Sequence, residues 1–94
     1  MRLQWTPHAR EDLYRLADSL NDGNPGAGDM LLHGAMTATR QLLAHPRIGP
    51  AIGGTRIRKW PIAQSPCLFL YMVRDDEILL LRVVHNRSDW QSLA

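Results

Sequence analysis

The 94-residue chain reads as an α+β domain in which a helical hairpin packs on a small, twisted, mainly antiparallel sheet, in the order β-α-α-β-β-β with a short C-terminal helical turn. Three observations predict it. Two cap-plus-proline pairs, Thr6-Pro7 and Asn24-Pro25, each open a stretch whose apolar residues recur at spacings of three and four. Two apolar runs, CLFLYMV and EILLLRVV, flank the polar turn RDDE. Between the helical and strand halves lies PRIGPAIGG, whose two prolines and three glycines permit no regular element.

RLQW alternates like a strand until Thr6 offers an N-cap and Pro7 a first helical residue whose missing N–H needs no partner. Ala9, Leu13, Leu16, Ala17 and Leu20 form the apolar stripe of the first helix, and Glu11 and Asp12 sit near the positive end of its dipole. Gly23 is placed to close that helix in the left-handed conformation, and Asn24-Pro25 to open the next. Ala27, Leu31, Ala35, Ala38 and Leu42, with Gly34, make a stripe of mostly small residues, so the helix axes should approach closely until Pro46 ends the second helix. Met30 and Met36 are expected to fill helix contacts.

TRIRKW then alternates as a strand, with Arg56, Arg58 and Trp60 on one face and Thr55, Ile57 and Lys59 on the other. In the last strand the same period puts Ile78, Leu80, Arg82 and Val84 on one face and Leu79, Leu81, Val83 and His85 on the other. Both strands of the hairpin are apolar on both faces, which implies a central place in the sheet with the helices on one side. No regular element remains for the other side. Either loops carrying Trp60 or Trp90 fold over it, or a partner does.

A chain of this length supports one domain, expected over residues 1–94, with any site built on a single surface. Apolar residues at 45 % and charged ones at 21 % argue against disorder. No apolar run reaches spanning length and MRLQWTPHA lacks the features of a secretory signal, so a cytoplasmic protein without membrane contact is expected. Cys67 is the only cysteine, which excludes an internal disulfide and fits a reducing compartment. The histidines form no HxxxH or HExxH pair and the glycines lack the lysine and hydroxyl residue of a phosphate loop, so no metal and no cofactor are expected. Net charge is +2, but residues 30–74 hold six basic side chains and no acidic one. Such a face prefers an acidic partner, either nucleic acid or an acidic protein segment.

Arg82 lies inside an apolar strand, so it must pair with a carboxylate such as Asp89 or Asp12, or aim into a functional concavity; an unpaired buried guanidinium is costly. His85 stands where the strand runs out, a position suited to a general acid or base, or to a hydrogen bond with a backbone carbonyl. RNA cleavage by a 2′-hydroxyl needs two proton carriers and cations around the phosphorane. Arg56, Arg58, Lys59, Arg74, Arg82 and Arg87 offer cations, and Tyr71 or His85 offers one carrier. A second is hard to find: His8, His33 and His45 belong to helices or a helix end, and no glutamate lies between Glu11 and Glu77.

Five short motifs follow one another along the chain: W-T-x-x-A-x-x-D-L from Trp5 to Leu13, N-P at Asn24 and Pro25, L-x-x-H-P-R-I-G from Leu42 to Gly49, G-T-R from Gly54 to Arg56, and R-V-V-H-N-R-S-D-W from Arg82 to Trp90. In this order and spacing they resemble the ParE toxins of bacterial type II toxin–antitoxin systems, within the RelE/ParE superfamily, over nearly the whole chain. The resemblance implies a single RelE/ParE-like domain and, as for members with an assigned activity, a toxin that arrests growth by trapping DNA gyrase on cleaved DNA. It implies no catalysis by this chain; the alternative is a RelE-like ribosome-dependent mRNA endonuclease, which would use His85, Tyr71, Arg56, Arg74 and Arg82.

Under the first reading Arg56, Arg58, Lys59 and Arg87 bind the target, while Asp12, Arg82, His85, Asp89 and Trp90 anchor the fold, Asp89 by pairing with an arginine. Ser88 departs from the family pattern, standing where ParE toxins often carry a second basic residue. A cognate antitoxin is expected to wrap the toxin with an acidic or amphipathic C-terminal segment, in a heterotetramer or larger. Direct binding of nucleic acid by this chain is left open.

Overall fold

One side chain, that of Thr6, both ends the first strand and starts the first helix. Its hydroxyl accepts the Ala9 N–H and donates to the Leu81 carbonyl, while Pro7 takes the first helical position. The structure is a computed structural model that describes residues 1–93; Ala94, the last residue of the expected domain, lies outside the described residues. Its elements are β1 (Arg2–Trp5), α1 (Pro7–Gly23), α2 (Ala27–Ala44), β2 (Arg58–Pro61), β3 (Cys67–Arg74), β4 (Glu77–His85) and a 3₁₀ turn (Trp90–Leu93). This is the α+β order read from the sequence, two helices on a four-stranded mixed sheet.

The helix connection departs in detail. Gly26, and not Gly23, holds the left-handed backbone, at φ 93°, and caps α2 while Pro25 stays in the turn. Asn24 closes α1 in extended backbone, its N–H reaching the Leu20 carbonyl at 2.9 Å, so the chain reverses two residues later than expected. The hairpin is tight, as its small residues imply. A Cβ on Gly28 would collide with the Ala17 carbonyl, and the Gly28 N–H is held instead by Asn21 Oδ1 at 2.8 Å. Met30 and Met36 are 46 % and 57 % exposed and do not fill the helix contact, because Gly28, Leu31, Ala35, Ala38 and Leu42 already occupy it.

Strand order is β1-β4-β3-β2, parallel only between β1 and β4, so β4 lies inside the sheet as its apolar run implies. Phe69, Tyr71, Ile78, Leu80 and Val83 meet Leu13, Leu16, Leu31, Ala35 and Leu42 in the main core. Each fully buried leucine-sized side chain there contributes about 2 kcal/mol.

Strict alternation fails in β4. Leu70 pairs with Arg82 and Tyr71 with Leu80, which makes Leu81 an extra residue in a β-bulge. Beyond it the faces exchange: Val83, expected beside Leu79, joins Ile78 and Leu80 in the main core, and Val84 packs with Leu70 and Trp90 elsewhere.

β2 is shorter than TRIRKW. Thr55 Oγ1 accepts the Ile57 N–H at 3.1 Å and donates to the Ile52 carbonyl at 2.9 Å, and the Ile52 N–H bonds the Ile57 carbonyl at 2.8 Å. The glycine-rich segment thereby closes on itself. Its Ile52 and Ile57, together with Trp90 and Leu68, cover Leu70 and Val84, so the second face has material from the chain itself. Trp60 goes to the helix side, where its indole N–H donates to Gln41 Oε1 at 3.0 Å.

Candidate functional site

β1 stops at Trp5, which leaves the edge of β4 beyond Leu80 without a strand neighbour. The start of α1 takes the strand's place. Thr6 bonds the Leu80 and Leu81 carbonyls, and Asp12 accepts the Val83 N–H at 3.1 Å. The same carboxylate receives Arg82 on both oxygens, at 2.7 and 3.1 Å, and Arg15 at 3.1 Å. Burial by itself would raise the Asp12 carboxyl, but the bonds from Arg82, Val83 and Arg15 together hold it below the ordinary value. Of the two carboxylates open to Arg82 the fold uses Asp12. Asp89 has no cationic partner among the described residues, because Arg82 is taken and Asp89 sits exposed before the 3₁₀ turn.

His85 ends β4 opposite Cys67. Its Nδ1 accepts the Arg87 N–H at 3.1 Å, which places the ring proton on Nε2, and its carbonyl takes the Ser88 N–H and hydroxyl at 3.0 and 2.6 Å. The imidazole thus closes a turn as an acceptor, where donation to a carbonyl was the expected alternative. Trp90 is buried and carries Lys59 Nζ 5.3 Å from its ring centroid.

Tyr71 is fully buried, and its hydroxyl donates to the Pro46 carbonyl at 2.8 Å and accepts the Gly49 N–H at 3.0 Å. Burial raises its pKa, opposed by the Gly49 bond and by Arg58. Arg74 pairs with Glu77 across the hairpin while Cys67 pairs with His85. Arg74 and His85 are therefore at opposite ends, seven strand residues or about 23 Å apart. Arg82 is held by Asp12, and Arg56 rides in the closed loop. No single phosphate can touch both Arg74 and His85.

The four cations expected to bind a target fall into two settings. Arg56 and Arg58 line a concavity of about 310 Å³ with Arg47, Thr55, Ala51 and Val73. Of Arg56 and Arg58 the second alone belongs to β2, since the Thr55 turn removes Arg56 from the strand, so the expected common strand face does not exist. Arg58 Nη1 donates to the Arg47 and Gly49 carbonyls at 3.2 and 2.7 Å. Lys59 lines a separate, more apolar cavity of about 370 Å³ with Trp60, Leu68, Asn86 and Trp90, and Arg87 follows Asn86 on an exposed turn.

Arg47 escaped the sequence reading, although its place in the acid-free stretch marked it. The groove beside the two helices that the sequence led us to expect as an antitoxin dock is present between β1 and the helix pair, with a volume of about 380 Å³, but its lining of Trp5, Leu13, Leu32 and Ala35 with Arg10, Tyr14 and Met36 was not singled out. Its signal was the i,i+4 spacing of Arg10 with Tyr14 and of Leu32 with Met36, beside the apolar stripes. Among the described residues no helix is long and apolar enough to cross a membrane, and no three His, Cys, Asp or Glu side chains gather as metal ligands.

A family model described as the ParE toxin of the type II toxin–antitoxin system parDE matches residues 3–90. Among solved structures, a chain described as a chromosomal ParDE TA system from P. aeruginosa is similar in fold, with a TM-score of 0.77 at 22 % identity, covering 90 % of this chain and 95 % of that one. No curated protein sequence matches.

Proposed function

Because the chain belongs to the ParE toxin family of type II toxin–antitoxin systems, we propose that it arrests growth by binding DNA gyrase and trapping it on cleaved DNA, and that a cognate antitoxin holds it inactive. The dispersal of the candidate RNase groups carries the choice of inhibition over catalysis. In-line cleavage needs an acid and a base on either side of one phosphate. Here Tyr71 has both its hydroxyl roles engaged inside the core, Arg82 is fastened to Asp12, and Arg74 lies a hairpin's length from His85. The exposed cations, by contrast, are available for a surface contact. Purified protein added to gyrase, supercoiled plasmid and ATP should yield cleaved complexes or block supercoiling. Untouched gyrase together with mRNA cut on translating ribosomes would move the protein to the RelE-like alternative.

The groove beside β1 supports the antitoxin half of the reading. Its lining is apolar, Tyr14 and Met36 stand exposed over it, and Arg10 adds a cation that an acidic or amphipathic segment can meet. Burial of the apolar stripe supplies most of the affinity of such a contact, and opposite charge sets its register. A helix can lie in the groove, or an extended segment can add to the free edge of β1. Co-expression with the product of the adjacent reading frame, followed by size-exclusion chromatography, should give a complex of heterotetramer size or larger. Elution of a lone toxin beside its neighbour's product, harmless in its absence, would remove this reading.

A further inference from the structure

We infer that the concavity of Arg47, Arg56 and Arg58 is a phosphodiester-binding site with which the protein grips a nucleic-acid backbone. The inference rests on the reading of Arg56 and Arg58 as working residues, and is independent of gyrase as the target. Three arginines border one space of about 310 Å³, and among the described residues no acidic one lines it. A carboxylate is satisfied by one guanidinium fork, whereas three forks around one concavity suit phosphate oxygens, which accept from several donors at once.

The three arginines have distinct parts. Arg58 is pre-positioned: its Nη1 is spent on the Arg47 and Gly49 carbonyls, which leaves Nε and Nη2 with three N–H donors unassigned among the described residues. By holding the Arg47 carbonyl it also sets the backbone from which Arg47 extends. Arg47 and Arg56 are in no ion pair among the described residues, so they can close on a ligand. Thr55 and Ala51 supply small side chains beside them, and Val73 of β3 an apolar one. Among the described residues no aromatic one lines the concavity, so bases have no ring there to stack on. The contact is accordingly with the backbone, and carries no sequence preference.

The test is direct binding of the full-length protein, without gyrase, to a short labelled duplex DNA and a labelled single-stranded RNA, read by fluorescence anisotropy over a salt series. Each neutralised phosphate contributes about 0.9 to the slope of log K against log salt on duplex DNA and about 0.7 on a single strand. The double variant Arg47→Gln, Arg56→Gln, which dismantles the one phosphate contact of the concavity, should therefore lose a slope of about 0.9 on the duplex or about 0.7 on the single strand. Arg40→Gln on α2 is the control and should leave the slope unchanged, and circular dichroism melts verify that both variants fold. A loss on the duplex alone assigns the site to DNA, and on the RNA alone to RNA; either upholds a phosphodiester site. Absence of salt-dependent binding to both probes, or a slope the double variant does not lower, would overturn it. A polyglutamate peptide of equal charge that binds as tightly and suffers the same loss would overturn it too, by making the concavity a general anion cradle. Because gyrase is absent from this assay, its failure leaves the supercoiling result untouched.

Discussion

Asp12 satisfies the Val83 N–H, Arg82 and Arg15 together, and the aspartate of the W-T-x-x-A-x-x-D-L motif thereby acquires a structural reason: it stands in for the strand partner that β1 fails to provide. Asp12→Ala should cost about 2–3 kcal/mol, since it strands a half-buried guanidinium and a buried N–H. Thermal melts should show this. The pH dependence has a definite sign. A carboxyl held below its unfolded value near 3.8 stabilises the fold fully above that value, and the contribution is lost as pH falls through the lower folded value. The stability gap between wild type and Asp12→Ala should be widest near neutrality and narrow below about pH 4. His85 gives the functional contrast at this scale. The amide oxygen introduced by His85→Gln can still accept the Arg87 N–H, so gyrase inhibition should persist, whereas an RNase using that histidine would lose about 10²-fold in rate.

Among the elements, the closed loop and the 3₁₀ turn matter most, because neither belongs to a regular layer yet together they form the second cluster with Leu70 and Val84. Trp90→Ala should expose that cluster and release Lys59 from its ring, at a cost of about 3 kcal/mol measured by denaturant titration. A loss well under this would mean that Ile52 and Ile57 cover the face unaided. The helix hairpin is constrained in the opposite sense. There the contact is between backbones, at Gly28 and Ala17, so added volume and not lost volume is what it cannot absorb.

Taken as a whole, the molecule uses its arginines in two ways: Arg2, Arg15 and Arg82 are paired with Glu77 and Asp12, while Arg47, Arg56 and Arg58 share a concavity and are in no ion pair among the described residues. Charge reversal should split these arginines by their bonding. Arg47→Glu and Arg56→Glu should abolish toxicity with little change in melting temperature. Arg58→Glu should lose toxicity and also about 1–3 kcal/mol, because the Arg47 and Gly49 carbonyls lose their donor. Growth arrest scored beside melting temperature separates the two cases; equal melting losses at all three positions would make the cluster structural.

The sequence by itself determined the order of the elements, the tightness of the helix pair and the interior place of β4, because caps, prolines, glycine and apolar runs act within a turn or two of where they stand. It also marked Arg56 and Arg58 through the acid-free stretch around them. Tertiary structure alone decided that Arg82 meets Asp12 across 70 residues, that Leu81 bulges and exchanges the faces of Val83 and Val84, and that Arg47 completes the concavity. Each of these depends on where β1 stops and how the 46–57 segment closes over the sheet, and such long-range pairings leave no periodicity in the residues that make them.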